Sequence, residues 1–141
     1  MEIIVGKQFP KKVIPLIDQS KTTIDIVVFD WRWYAQDPGL PIQLFNQAIV
    51  RAARRGVKVR AIANNDGIVK ILNEIGCKAK KLLTKRLVHC KMMIIDNRVA
   101  VVGSHNYTQS AFQMNLEFSV ILKIPESNSD FFSFFNNLWQ L

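Results

Sequence analysis

The sequence predicts one α/β domain spanning residues 1–141, with a mixed β-sheet and helices on both of its faces. Three observations support this fold class. Segments rich in β-branched residues alternate with segments whose apolar residues follow helical spacing, a pattern typical of layered α/β domains. The short sequence DNR joins two late strands, and strands joined so closely are antiparallel. A content of 49% hydrophobic residues is enough for a core in a chain of this length.

The first third of the chain predicts a strand, a helix and a second strand. Residues 2–5 form a short apolar run, and residues 10–20 place apolar side chains on one helical face. Pro15 disturbs that helix after its first turn, because proline lacks the N–H that an interior position donates. Residues 23–31 are rich in β-branched and aromatic side chains, which predicts a buried strand.

The middle third predicts a helix followed by a strand. Residues 37–41 form a turn, and Pro41 suits the first turn of the next helix. That helix ends in arginines followed by Gly56. Cations are favourable beside the last carbonyl groups of a helix, and glycine is a common cap. The alternation in residues 57–63 then predicts a strand.

The next helix begins at residues 64–66, where the Asn-Asn-Asp sequence offers an N-cap. Gly76 closes it, and residues 78–83 form a short basic strand or loop. The apolar stripe of this helix consists of Ile68, Ile71, Leu72 and Ile75.

The last third predicts a hairpin, a further strand and a terminal helix. The hairpin strands cover residues 89–95 and 99–104, and the further strand covers residues 116–122. The aromatic-rich terminal helix carries Phe131, Phe132, Phe134, Phe135, Leu138 and Trp139.

The charge of the chain favours a polyanionic partner. Lys and Arg number 19 against 11 acidic residues, which gives a net charge of +8. Nucleic acid is the first candidate partner and an anionic membrane surface the second. No stretch approaches the roughly 18 to 20 apolar residues of a membrane span, so we expect no membrane anchor.

The chain is expected to work in a reducing, cytoplasmic location. Its two cysteines, Cys77 and Cys90, cannot form a disulfide framework and lack the spacing of zinc ligands. The N-terminal residues show no charged lead into a long apolar segment, so we expect no secretion signal.

Four polar side chains gather on the predicted hairpin. His89 and Lys91 point the same way, because residues two apart share one face of a strand, and Ser104 and Asn106 have the same relation on the next strand. A turn near residues 96–98 brings the two pairs together. Gly103 allows the backbone to approach closely there.

This group of side chains suits phosphoryl transfer. A neutral imidazole is a nucleophile that can form a covalent phospho-intermediate. A lysine charge, together with amide and hydroxyl donors, stabilises the phosphate oxygens in the transition state.

The same residues carry a resemblance to a known family. HCKMMIID (residues 89–96) resembles the signature of the phospholipase D superfamily: His, any residue, Lys, four residues, Asp. GSHN (103–106) matches the family's Gly-Ser-X-Asn tail, and NLEF (115–118) places Glu117 where small bacterial endonucleases of the family carry an acid. The resemblance covers nearly the whole chain and implies a phospholipase D-like fold with one motif per chain.

The resemblance implies a role for each site residue. His89 is the expected nucleophile, Lys91 and Asn106 are expected to hold the phosphate, and Ser104 is expected to assist. Glu117 is expected to accept a hydrogen bond from the second ring nitrogen of His89.

Two further residues of the motif are not expected to contact the substrate. Asp96 counts in the family motif, but it has the opposite strand parity to His89, so we interpret it as a support residue at the hairpin turn. His105 fills the variable position of the tail and also points away, which makes a catalytic role for it the minority interpretation.

The family mechanism uses two histidines, one to attack phosphorus and one to protonate the leaving oxygen, and this chain carries one motif. A C2 homodimer that shares a single phosphate site resolves this difference. One ring must be neutral and the other protonated, so a bell-shaped pH profile is predicted. His105 as the acid is the rival within one chain.

No metal or other cofactor is expected. Histidine supplies the nucleophile and Lys91 the charge, whereas a metal nuclease needs clustered carboxylates. The chain's aspartates, Asp25, Asp30, Asp66 and Asp96, are scattered.

The preferred hypothesis is a nuclease with little sequence specificity, acting on DNA or RNA. The basic run before His89 is expected to follow the phosphate backbone; its residues are Lys78, Lys80, Lys81, Lys85 and Arg86. Trp31, Trp33 and Tyr34 are expected either to stack on bases or to pack in the core or at the dimer interface.

Two alternatives stay open. One is a phospholipase or cardiolipin-type hydrolase that uses the same residues, which would need an exposed apolar rim or an anchor. The other is a nucleic-acid-binding module without catalysis, against which the intact set of site residues weighs.

Overall fold

The computed structural model describes residues 1–128 and 130–141. Its strands are β1 (Glu2–Val5), β2 (Thr23–Val28), β3 (Lys58–Ile62), β4 (Lys78–Lys80), β5 (Lys91–Ile95), β6 (Val99–Gly103) and β7 (Phe118–Lys123). Its helices are α1 (Gln8–Asp18), α2 (Pro41–Arg54), α3 (Asp66–Glu74), α4 (Gln109–Gln113) and α5 (Asp130–Trp139).

The seven strands form one mixed sheet in the order β1-β7-β6-β5-β2-β3-β4. β2, β3 and β4 run parallel to one another, and the other neighbouring pairs are antiparallel. The mixed sheet confirms the predicted fold class. The helical connections after β2 and β3 allow the parallel part, and the hairpin β5–β6 imposes the antiparallel part.

Helices cover both faces of the sheet, as predicted. α1, α2, α3 and α4 pack on one face and share the larger apolar core with alternate residues of the central strands, such as Ile24, Ile26 and Met93. α5 packs on the other face, where Phe135 contacts a smaller core that includes Val27 and Ile94. The strands at the centre are apolar on both sides because both sides are buried.

Several elements differ from the sequence predictions. β5 begins at Lys91 rather than at residue 89, so His89 lies outside the strand, and β7 begins at Phe118 rather than at residue 116. β2 ends at Val28 rather than at residue 31, because the chain leaves the sheet there, and Trp31 forms only an isolated bridge with Tyr107. The short helix α4 was not predicted. Thr108 caps it by accepting a hydrogen bond from the N–H of Ala111 at 3.1 Å, and five residues are too few to show helical periodicity.

The hairpin turn is fixed by backbone conformation and by one carboxylate. Asp96 and Asn97 both adopt positive φ angles, 54° and 53°, which these two residue types tolerate better than other non-glycine residues. The Asp96 carboxylate accepts hydrogen bonds from three consecutive backbone N–H groups of residues 21–23. The turn of the hairpin is thereby joined to the start of β2.

Charged side chains attach α5 to the sheet. Arg60 of β3 forms a two-pronged ion pair with buried Asp25 of β2, with Nε–Oδ1 at 2.8 Å. Its guanidinium also lies 4.9 Å from the ring centre of Phe135 and 5.5 Å from that of Trp139. Lys80 donates to the carbonyl of Trp139 and lies 4.8 Å from its ring centre.

Candidate active site

His89 lies in the loop immediately before β5, and its side chain is exposed. Its ring packs at 4.9 Å between centroids, tilted by 50°, against Phe29 at the end of β2. Asn64 fixes this arrangement, because its amide nitrogen donates to the carbonyl of Phe29 at 2.9 Å and to that of Val88 at 3.0 Å. The end of β2 and the residue before His89 are therefore held together by one side chain.

Lys91 is the first residue of β5, and its ammonium lies beside the imidazole. Its Nζ is 3.2 Å from both ring nitrogens of His89 and 5.6 Å from the ring centre of Phe29. The two ring nitrogens point in different directions in the ring plane, so an ammonium equally distant from both is in line with neither. The arrangement places a positive charge beside the imidazole.

Asn106 follows β6, the second strand of the hairpin, and binds the backbone next to Phe29. Its Oδ1 accepts a hydrogen bond from the backbone N–H of Asp30 at 3.1 Å. Backbone hydrogen bonds join Tyr107 to Asp30 and Arg32. Because Phe29 contacts His89 and the next residue binds Asn106, these two predicted site residues are brought together. The Asn106 amide nitrogen is free of hydrogen bonds to the described residues and is able to donate to a phosphate oxygen.

Gly103 has the close backbone approach that the sequence predicts. A Cβ atom at this position would overlap the backbone of Phe118 and both backbone and side chain of Ser119. The contact draws β6 against β7 and brings Ser104 next to Glu117.

Glu117 and Ser104 differ from the prediction in their partners. The Ser104 hydroxyl donates to Glu117 Oε1 at 2.5 Å and accepts from the N–H of Phe118, and the Asn115 amide donates to Oε2 at 3.0 Å. The expected hydrogen bond between Glu117 and the His89 ring does not form within the described chain. The single hydroxyl proton of Ser104 is used in the hydrogen bond to Glu117. Ser104 therefore does not donate to a phosphate in this arrangement.

Asp96 lies at the far end of β5 from the site. It follows Lys91 by five positions, which corresponds to about 16 Å along a strand. Burial raises the pKa of Asp96, but the hydrogen bonds from residues 21–23 outweigh it and hold this pKa below its usual value. Its geometry is that of a support residue, in agreement with the interpretation from strand parity.

His105 belongs to the core. It is 1% exposed, its Nδ1 lies 2.7 Å from Ser119 Oγ, and its Nε2 lies 2.9 Å from the carbonyl of Gly6. A neutral ring that accepts from Ser119 and donates to Gly6 satisfies both contacts. Burial lowers the pKa of His105, although the Gly6 carbonyl and the Glu117 charge oppose this shift. The geometry therefore disfavours His105 as the acid.

The basic run divides into two groups. Lys80 is directed at α5 and contributes to packing, which does not fit its predicted place on a phosphate track. The other four residues of the run are exposed: Lys78, Lys81, Lys85 and Arg86.

The aromatic residues after β2 pack in or against the core. Trp31 is 1% exposed, and its indole N–H donates to Asn46 at 2.8 Å, so it cannot stack on a base. Trp33 and Tyr34 are partly buried against the same core. Of the two interpretations for Trp31, core packing is the one that the structure supports.

Phe29, Asn64 and the Asp30 backbone are site components that the sequence did not single out. Phe29 was visible only as one more apolar residue of a predicted strand. Asn64 was included in a predicted N-cap segment, but the cap is Asn65. Their functional placement depends on contacts between residues far apart in the chain.

Two further findings concern metal ligands and membrane-spanning helices. Among residues 1–128 and 130–141, no three His, Cys, Asp or Glu side chains gather closely enough to hold a metal ion. No helix in these same ranges is long and apolar enough to cross a membrane.

Comparison with known proteins identifies the family. The family model described as "Cardiolipin synthase, PLD-like domain" matches residues 13–139. The chain belongs to this phospholipase D-like family. The family match confirms the resemblance that the spacing of His89, Lys91 and Asn106 carries.

Relatives of the phospholipase D-like family match along most of the chain. A mitochondrial cardiolipin hydrolase of Canis lupus familiaris is 31% identical over 96% of this chain and 52% of its own length. A protein of the same description from Chlamydomonas reinhardtii is 28% identical over 92% of this chain and 57% of its own length. The chain thus spans little more than half the length of these curated relatives.

Two solved structures share the fold over nearly their full length. NucT from Helicobacter pylori superposes with a TM-score of 0.79 at 20% identity, covering 98% of this chain and 94% of NucT. The phospholipase D family member Nuc from Salmonella typhimurium gives a TM-score of 0.77 at 24% identity, covering 98% and 93%.

Proposed function

We propose that the chain is a metal-independent phosphodiesterase that forms a covalent phosphohistidine at His89. The observation that carries this proposal is the joint placement of three groups. An exposed imidazole, an ammonium 3.2 Å from its nitrogens and an amide held against the neighbouring backbone all converge on one edge of the sheet. Family membership supports the same chemistry.

The reaction proceeds in two balanced steps. In the first, a neutral His89 nitrogen attacks phosphorus, the N–P bond forms and the P–O bond to the leaving group breaks, while the protonated His89 of a second copy gives its proton to the leaving oxygen. In the second, water attacks phosphorus and gives a proton to that second ring, and the N–P bond breaks. The Lys91 ammonium and the Asn106 amide stabilise the phosphate oxygens throughout.

A second copy of the chain supplies the second imidazole. His105 is buried and bonded on both nitrogens, so this chain offers His89 alone at the site. Exposed apolar side chains adjoin Glu117: Met114 is 78% exposed, Leu116 fully and Phe118 54%. A symmetric partner would cover this surface.

Nucleic acid is the substrate that we propose. The net charge of +8 and the exposed cations Lys78, Lys81, Lys85 and Arg86 favour binding to a phosphate backbone. Sequence specificity is expected to be small, because contacts with phosphate do not read bases. A cytoplasmic location remains the expectation.

A phospholipid phosphodiester is the second candidate substrate. The curated relatives include mitochondrial cardiolipin hydrolases. Leu83 and Leu87, in the segment that precedes His89 in the chain, are also exposed. They provide the rim that a lipid hydrolase requires.

One experiment separates these possibilities. Wild type, His89→Ala and Lys91→Ala are incubated in EDTA with labelled DNA, RNA and phospholipid, and acid-labile protein adducts are trapped on gels. Wild type is expected to cleave DNA or RNA and to form an adduct, and His89→Ala neither. Release of lipid headgroup alone would favour the second candidate, and DNA binding without any cleavage would favour a non-catalytic module. Inhibition by EDTA would contradict the histidine mechanism.

A further inference from the structure

The segment before His89 exposes large apolar side chains among cations. Leu83 is 92% exposed and Leu87 71%. Lys81, Lys85 and Arg86, which flank these leucines, are exposed as well. An isolated exposed leucine is common on protein surfaces, but two in a seven-residue segment with three cations form an amphipathic surface.

The end of the chain extends this surface. Phe134 of α5 is 45% exposed and Leu141 is 55% exposed. A cavity of about 170 Å³ separates α5 from the segment that contains Leu87. Leu87, Phe134 and Leu141 are among the residues that line this cavity. We call Leu83, Leu87, Phe134 and Leu141 the apolar rim.

We propose that the apolar rim, with Lys81, Lys85 and Arg86, docks the protein on an anionic lipid bilayer. The cations meet lipid phosphates, and the leucines enter the boundary between headgroups and acyl chains. This inference goes beyond the proposed function: it gives Lys81, Lys85 and Arg86, which that proposal assigns to a nucleic-acid backbone, a second polyanionic partner.

Other partners account for only part of this surface. A nucleic-acid backbone would neutralise the cations but would leave the leucines in water, and residues 81–87 contain no aromatic side chain that could stack on a base. A second copy seated on the same segment would place three cations against three cations. An anionic bilayer satisfies both the charge and the apolar area.

Docking in this orientation would place His89 at the level of the lipid phosphates. Leu87 precedes His89 by two residues, so their Cα atoms lie at most about 7 Å apart. Interfacial segments bury their apolar side chains about 5–10 Å into the headgroup boundary. The edge of the sheet that carries His89 would therefore face the membrane surface.

Vesicle flotation tests this proposal. Wild type is mixed with vesicles of phosphatidylcholine alone or of phosphatidylcholine with phosphatidylserine, and each variant is also made in a His89→Ala background so that no lipid is hydrolysed. Wild type is expected to float with the anionic vesicles only. L83S/L87S, which keeps every cation, is expected to lose about tenfold in vesicle affinity while its DNA binding at the same salt concentration stays unchanged.

Matched variants control for charge and for exposed leucine. K81Q/K85Q/R86Q is expected to lose vesicle binding, whereas K7Q/K11Q/K70Q removes three exposed cations elsewhere and is expected to retain most of it. L44S removes an exposed leucine of α2 (44% exposed) and should bind as wild type. Thermal unfolding confirms that each variant is folded. The proposal would be overturned if wild type did not float, or if L83S/L87S floated as well as L44S. It would also be overturned if L83S/L87S lost DNA binding but kept vesicle binding.

Discussion

At the scale of single residues, Phe29 packs against His89, the nucleophile that we propose, and limits its orientation. The His89 ring lies in a loop and is exposed, so the loop alone leaves its side chain free to rotate. The aromatic contact at 4.9 Å limits that rotation, and the same ring lies beside the Lys91 ammonium. We therefore regard Phe29 as a positioning residue, since it acts through His89 and Lys91.

Replacement of Phe29 tests this role. Phe29→Ala is expected to lower kcat by about tenfold or more, because small displacements of reacting groups are costly, with little change in KM. Phe29→Tyr keeps the ring and is expected to retain most of the activity. Steady-state kinetics and the rate of adduct formation measure both effects. Equal losses in the two variants at unchanged thermal stability would contradict the orienting role.

The two histidines of the chain have opposite expected phenotypes. His105→Ala removes a buried ring that bonds Ser119 and Gly6, so it is expected to lower the free energy of unfolding by about 2–4 kcal/mol, while the folded fraction keeps its activity. His89→Ala is expected to abolish activity at nearly unchanged stability. Urea unfolding and activity per folded molecule measure these effects. Loss of all turnover in folded His105→Ala would restore His105 as the acid.

The pKa of His105 predicts a pH dependence of stability. Because burial lowers this pKa below the ordinary value of about 6.5, the unfolded chain binds the proton more readily. Stability is therefore expected to fall as the pH decreases below about 6.5, until the folded protein is protonated too. Urea unfolding at a series of pH values measures this slope. It should be smaller in His105→Ala, and an unchanged slope would contradict this assignment.

At the scale of elements, the ion pair of Asp25 and Arg60 connects two strands to α5. Arg60→Ala leaves a carboxylate that is 2% exposed without its partner and is expected to cost about 3 kcal/mol. D25V/R60V removes both charges and should be less destabilised than Arg60→Ala. Urea unfolding compares these variants with Lys58→Ala, an exposed control on the same strand. A double variant no more stable than Arg60→Ala would show that the aromatic contacts of Arg60 dominate instead.

The Asp96 carboxylate holds the hairpin turn to the start of β2. Asp96→Asn is expected to lower the free energy of unfolding by about 1–2 kcal/mol near neutral pH, because hydrogen bonds to a charged acceptor are lost. Its folded pKa is lowered, so this stabilisation is present above the ordinary carboxyl value of about 3.9 and is lost as the pH falls below it. Urea unfolding of wild type and Asp96→Asn at pH 7 and in acid measures this effect. The difference between their free energies of unfolding should be smaller in acid. Activity per folded molecule should stay near that of wild type.

At the scale of the whole molecule, the proposed mechanism needs two imidazoles and each chain supplies one, so we propose that two chains share each site. Wild type and His89→Ala refolded together form mixed dimers, each of which lacks one of the two rings. Activity is therefore expected to follow the square of the wild-type fraction. With equal amounts of the two proteins it should be roughly a quarter of the activity of the same total amount of wild type. Proteins mixed after separate folding provide the control and should give about half. Activity proportional to the wild-type fraction, with monomers in sedimentation, would contradict the shared site.

The mixed sheet, the family and the order of all elements except α4 could be predicted from the sequence alone. They depend on local or repeating features: periodicity, turn residues, and the spacing of His89, Lys91 and Asn106 around the hairpin. Strand alternation also separated Asp96 and His105 from His89, because side-chain direction along a strand follows from the backbone.

The residues that surround the motif could not be predicted from the sequence. Phe29 packs on His89, Asn64 bonds the carbonyls of Phe29 and Val88, and the Asp30 N–H bonds Asn106, across 24 to 76 positions of sequence separation. Lys80 turned toward α5, and Glu117 bonded Ser104 and Asn115. Such contacts depend on how β2, β5 and the helices pack together. Local spacing therefore located the chemical groups, whereas packing between distant segments set their partners, orientation and exposure.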